Sequence, residues 1–89
     1  MSEAAPRYRI LLAREAVNDV EQLTPKLRQK LREILEEALA VNPHTGKKLL
    51  GDLAGHRSYQ LTPHDHIVYR IDGSRRIVYI KRARTHYGE

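Results

Sequence analysis

Residues able to do chemistry gather in the second half of this 89-residue chain. It contains no Cys, which leaves no disulfide framework, no thiolate metal site and no Cys nucleophile. There is no GxGxxG, and Gly46-Lys47-Lys48 lacks the spacing of a phosphate-cradling loop. The few Ser and Thr are not set in a nucleophile elbow. The carboxylates after residue 43 are four and scattered, a poor supply for paired-carboxylate catalysis. Five His remain. His64 and His66 have a two-residue spacing that can ligate a metal on a strand. His64, however, falls in a turn after Pro63 and no third ligand is near in sequence, so no metal site is assigned. His56, His64 and His66 read as loop or surface residues.

Metal-free RNA cleavage asks for less. RNA brings its own nucleophile, the 2′-OH. The protein supplies a base for that proton, cations for the charge on the pentacovalent phosphate, and an acid for the leaving 5′-oxygen. His, Lys, Arg and Tyr can fill each role, and rings give unstacked bases a platform. The run Lys81-Arg82-Ala83-Arg84-Thr85-His86-Tyr87 concentrates these types; the plainer reading is a basic tail. Residues 1–43 hold seven Lys and Arg against seven Asp and Glu; residues 44–89 hold nine against four, so the net charge of +5 lies wholly in the second half. That surface is either a solvated basic face or one suited to nucleic-acid phosphate.

These residues need elements to hold them. Tyr8 to Leu12 reads as a strand. Arg14 to Leu23 reads as a helix with Ala16, Val17, Val20 and Leu23 in one apolar stripe. Thr24-Pro25 supplies an N-cap and a first-turn proline for a second helix to about Val41, with Leu27, Leu31, Ile34, Leu35 and Ala38 inward. Asn42-Pro43 stops it. Its Lys26, Arg28, Lys30 and Arg32 precede Glu33, Glu36 and Glu37, which opposes the helix dipole. The rest alternates as β structure: a glycine-punctuated Gly46–Gly55 loop with a short extended segment, strands Arg57–Thr62, His66–Ile71 and Arg76–Arg82, and turns at Thr62–Asp65 and Asp72-Gly73-Ser74. A two-residue Gly73-Ser74 loop pairs Asp72 with Arg75. Ile67, Tyr69, Ile71, Val78 and Ile80 then share one face, and His66, Val68, Arg70, Ile77, Tyr79 and Lys81 the other.

The expected fold class is therefore α+β: an N-terminal strand, a two-helix hairpin, then an antiparallel β-meander with the helices on one face. Residues 1–89 are expected to form a single domain with residues 1–6 loose. No stretch reaches the roughly 18 apolar residues of a membrane span. The polar N-terminus is not read as a signal peptide, and a cytoplasmic location without membrane contact is expected.

At this point a family resemblance emerges. The leading strand and helical hairpin, NPHTGKKLLGDLAGHRSY, HIVYRID and RRIVYIKRARTHYGE occur in the order seen in type II toxins of the RelE/ParE superfamily. ARTHYGE is the most specific piece, and the chain most resembles the Txe/YoeB-like mRNA interferases from Tyr8 to Tyr87. The resemblance implies a microbial-ribonuclease-like fold and cleavage of mRNA in the ribosomal A site without metal or other cofactor. It also implies a cognate antitoxin, with a homodimer or a toxin–antitoxin hetero-oligomer as the assembly. By the same resemblance, His86 and Tyr87 match the YoeB-like C-terminal pair, and Arg84 the residue on the scissile phosphate. Lys47 and Lys48 fall where RelE-like members carry catalytic lysines and YoeB-like members a Glu, which is absent here. Gln60 and His66 stand where arginines are usual. Candidate catalytic residues are thus Lys47, Lys48, His66, Arg84, His86 and Tyr87; candidate RNA contacts are Arg57, Gln60, Arg70, Lys81 and Arg82. A non-enzymatic, ParE-like gyrase inhibitor and a catalytically dead family member are the other readings.

Overall fold

A computed structural model describes residues 7–85 of the chain. Residues 1–6 and the His86-Tyr87 pair lie outside the described residues. The elements are β1 (Arg9–Leu12), α1 (Arg14–Glu21), α2 (Pro25–Ile34), β2 (Lys47–Lys48), β3 (Arg57–Gln60), β4 (His66–Asp72) and β5 (Ile77–Thr85). The strands form one sheet in the order β1-β5-β4-β3-β2. The β2 to β5 meander is antiparallel, as its turn signals require. β1 instead joins parallel to β5, with Arg9 opposite Ile77 and Leu12 opposite Ile80. The sheet is therefore mixed, an α+β fold in which the helical hairpin serves as the crossover a parallel pair needs.

Local chemistry sets the helices. Ala13 N–H donates to the Ile80 carbonyl at 2.9 Å, which starts α1 directly off β5. The Thr24 hydroxyl accepts from Leu27 N–H at 3.2 Å and Pro25 opens α2. α2 does not run unbroken to Val41. Leu35–Leu39 form a π turn, in which Ala40 N–H reaches back to the Leu35 carbonyl. The wider turn accommodates one extra residue. It makes Leu39, rather than the expected Ala38, the fully buried residue. The Ala40 carbonyl then accepts from Tyr8 N–H at 2.8 Å and fastens the helix end to the head of β1.

The core joins Ala16, Leu23, Leu31 and Leu39 of the helical layer to Leu61, Ile67, Tyr69, Val78, Ile80 and Ala83 of the sheet. Tyr69 carries a polar tip into it, satisfied by donating to the Pro43 carbonyl at 2.6 Å. Burial pushes this phenol's pKa up; the Gly46 backbone and Arg57 pull the other way without reversing the shift. Gly46 is required by space. A Cβ there would run into the Tyr69 hydroxyl and come within 2.8 Å of the Ser58 carbonyl oxygen.

Two features of the meander differ from expectation. The β4–β5 loop is four residues, 73 to 76, with Asp72 opposite Ile77 rather than Arg75. The Asp72 carboxylate accepts from Ser74 Oγ and Arg75 N–H, winding a side-chain-capped turn that Arg76 closes at φ 55°. Such turns are a normal use of Asp. Because the register moves by two residues between Tyr69 and Asp72, the side chains of that stretch keep their faces. β5 also continues to Thr85, past the expected end at Arg82, and carries two irregularities opposite His66–Tyr69. Tyr69 pairs with Ile80, Val68 with Arg82 and His66 with Thr85, so β5 spends two extra residues there.

Candidate nucleic-acid interface

Away from the irregular stretch of β5, cross-strand partners point to the same side of a sheet, so the register sorts the candidate residues. Tyr69 and Ile67 face the helices. Arg57 pairs with Tyr69, and Lys48 with Arg57, so these two share the helix side. The opposite, open side carries Lys47 with Ser58 and Val68, Gln60 with His66, and Arg70 with Tyr79 and Leu11. Lys81 lines the same side beside Arg70 and Tyr79. The structure therefore brings Lys47, Gln60, His66, Arg70 and Lys81 onto one face. Val68 and Ile77 on that face are buried, so it has an apolar floor beneath its cations.

Three candidate cations are otherwise engaged. Arg57 donates through Nη1 to the carbonyls of His44 (3.2 Å) and Gly46 (2.9 Å), holding the loop that leads into β2. Arg82 turns toward α1. Its Nε donates to Asp19 Oδ2 at 2.7 Å and its Nη2 to Oδ1 at 3.0 Å. Ala83 N–H adds a third bond to Oδ2 at 3.1 Å. Asp19 thus grips the irregular part of β5 by a side chain and a backbone amide together. Burial raises the Asp19 pKa, but these bonds, the Arg82 charge and the Arg84 amide outweigh it and hold the carboxyl below its ordinary value. Arg84 lies with Nε 3.6 Å from Asp65 Oδ1, an ion pair at the β3–β4 turn. Thr62 shapes that turn: its hydroxyl accepts from Asp65 N–H at 2.9 Å and donates to Asp65 Oδ2 at 3.0 Å.

The open face holds a pair that the sequence left unmatched. The Arg70 guanidinium sits 4.2 Å above the centroid of the Tyr79 ring, a cation–π contact. His56 falls next to Arg70, one step beyond the Arg57–Tyr69 pair. Alternation offered a signal, since His56, Ser58 and Gln60 share one parity. Asp19 also had one: it lies three residues after Ala16 on the inward stripe of α1, where a carboxylate calls for a buried partner. Among the described residues, no three His, Asp or Glu side chains gather closely enough to hold a metal ion. No described helix is long and apolar enough to cross a membrane.

No protein-family model matches the chain, and no curated protein matches it in sequence. Solved structures do. The RelBE2 toxin–antitoxin complex from Mycobacterium tuberculosis contains a chain with TM-score 0.80 and 28% identity, over 88% of this chain and 96% of that one. The YoeB/ParE toxin from Agrobacterium tumefaciens gives 0.79 and 23%, over 89% and 99%. The YoeB dimer from Staphylococcus aureus gives 0.76 and 25%, over 91% and 99%. The chain has the fold of the RelE/YoeB toxins, as the RelE/ParE resemblance in its sequence implies.

Proposed function

We propose that this chain is a single-domain cytoplasmic toxin of a type II toxin–antitoxin pair and that it cuts mRNA on the ribosome, using the open sheet face. The observation that carries this reading is the gathering of Lys47, His66, Arg70 and Lys81 on one side of the sheet, over an apolar floor. Single-stranded RNA needs such a combination of cations and flat surfaces.

In this reading Lys47 or His66 takes the proton of the 2′-OH. The 2′-oxygen forms a bond to phosphorus while the bond to the 5′-oxygen breaks. Arg70 and Arg84 hold the negative charge that grows on the phosphoryl oxygens. His86 returns a proton to the leaving 5′-oxygen, and Tyr87 stacks on a base. The products are a 2′,3′-cyclic phosphate and a 5′-hydroxyl. Lys48, on the helix side, is a weaker choice of base than Lys47. Arg84 reaches phosphate by exchanging its 3.6 Å contact with Asp65 for a more strongly charged ligand. The solved toxin–antitoxin complexes of the same fold support a cognate antitoxin as partner, and the YoeB dimer supports self-association.

One observation favours a second reading. Gln60 and His66 face each other across β3 and β4. The two positions where the family resemblance calls for arginine therefore form one rung without a fixed charge, which weakens any bidentate grip on phosphate there. A ParE-like gyrase inhibitor has no need of that grip. The test adds purified protein to mRNA-programmed ribosomes and, separately, to gyrase with plasmid DNA. Cleavage in the A site supports the first reading. Trapped gyrase–DNA complexes without mRNA cleavage replace it with the second. In cells, Arg84→Ala and removal of His86-Tyr87 are each expected to relieve growth inhibition. Full toxicity in both would remove these residues from the site.

A further inference from the structure

One transverse row of side chains on the open face has no part in the phosphate chemistry above, apart from Arg70. Leu11 of β1 lies opposite Tyr79 of β5, Tyr79 opposite Arg70 of β4, and Arg70 beside His56 at the head of β3. Three neighbouring strands and the residue just before β3 thus each contribute one side chain. Together with Lys81 they line a cavity of about 400 Å³ open to solvent. The scale suits one small ring system.

The wall has a definite chemistry. Leu11 is 39% exposed, an apolar surface at the β1 edge. Tyr79 offers a ring and a hydroxyl. The Arg70 guanidinium lies over that ring, its carbon 4.2 Å from the centroid. It makes no ion pair among the described residues. The contact with Tyr79 places the guanidinium at the cavity wall, with no hydrogen bond among the described residues taking up its N–H donors. His56 and Lys81 add polar nitrogen, and no carboxylate lines the cavity. A flat, neutral ring with acceptors on its edge matches this wall. A cation does not, since nothing there would compensate its charge.

We propose that this row is a nucleobase subsite that takes a single unstacked base and prefers keto bases, guanine and uracil. Their carbonyl oxygens meet the guanidinium and ammonium donors. Guanine adds N7 beside O6, the pair that an arginine fork matches best. Adenine and cytosine present an amino group at the equivalent edge, where Arg70 and Lys81 have no acceptor to offer. The subsite gives the cleavage proposed above a base preference, and rests on that reading only for its biological use. As a binding site it stands on its own geometry.

The test uses the full-length protein. NMR titrations with GMP, UMP, AMP, CMP and inorganic phosphate follow the Leu11 methyl, Tyr79 ring and His56 ring signals. GMP and UMP are expected to shift all three and to bind more tightly than AMP and CMP. Arg70→Gln, at an exposed position, is expected to weaken GMP binding about tenfold. Tyr79→Leu is expected to do the same while an unchanged amide spectrum elsewhere reports an intact fold. Equal response to all four nucleotides, or the same shifts with phosphate alone, overturns the base subsite. A parallel assay on programmed ribosomes separates the two proposals. Keto-base binding by a protein that cleaves nothing retains the subsite and removes the nuclease. Cleavage without base selectivity, unaltered in pattern by Tyr79→Leu, retains the nuclease and removes the subsite.

Discussion

Asp19→Asn tests how β5 is held. The substitution keeps the size of the side chain and one carbonyl oxygen, but removes the charge and the second acceptor. The carboxylate it replaces receives three bonds, two from Arg82 and one from Ala83 N–H. Asp19 is 11% exposed at its side chain and Arg82 39%. Breaking a fully buried pair costs about 3–5 kcal/mol, and an exposed pair is worth roughly 1 kcal/mol or less. With one partner well shielded and the other partly wet, the expected loss is about 2 kcal/mol. In a domain of this length that lowers Tm by roughly 8–16 °C. Urea and thermal melts of both proteins measure it. The pH dependence gives the sign. The folded-state pKa of Asp19 is depressed below 3.8. Its contribution is therefore complete above about pH 3.8 and fades as pH falls further, through the folded value. The gap between wild type and Asp19→Asn should stay constant from neutral pH down to that point and close below it. A gap under about 0.5 kcal/mol at pH 7, too small for a shielded ion pair, would refute the clamp. So would one unchanged in acid.

Three other outcomes follow from the packing and the site. Gly46→Ala is expected to cost roughly 1–3 kcal/mol, because the new methyl meets the Tyr69 hydroxyl and the Ser58 carbonyl; chemical denaturation reads it directly. Tyr69→Phe leaves the Pro43 carbonyl without its 2.6 Å donor and is expected to lower stability by about 1–2 kcal/mol, with little change in the urea m-value. Gln60→Arg, placed on the rung it shares with His66, is expected to raise mRNA cleavage on programmed ribosomes; a rate that falls would show that the neutral position is part of how this chain works.

The sequence shows the elements more clearly than their connections. Periodicity locates β1, both helices and the meander because each carries its own apolar stripe. It cannot show that β1 lies parallel beside β5, since a strand's alternation is the same whichever neighbour it has. The π turn is hidden for a related reason: Ala38 and Leu39 are both apolar, and only the packing selects Leu39. In the site, alternation correctly separates Lys47, His66 and Arg70 from Lys48 and Arg57 once the register is known. The same count puts Arg82 on the helix side with Val78 and Ile80, where it meets Asp19 rather than RNA. The period of two fails at Ala83, which is buried in the core because the irregularities in β5 break the alternation there. Charge alone also could not reveal Asp65 beside Arg84, because the pair depends on the fold of the Thr62–Asp65 turn.

In the proposed function, the open sheet face cuts mRNA. The most direct measurement is primer extension on an mRNA held in the A site of purified ribosomes, with end-group analysis of the fragments. The expected result is a cut within the A-site codon that needs the ribosome and leaves a 2′,3′-cyclic phosphate and a 5′-hydroxyl. A Lys47→Ala, Arg70→Ala double variant with an unchanged melt is expected to leave the mRNA intact. Full-length mRNA after incubation with the wild-type protein, or undiminished cleavage by the double variant, would contradict that function.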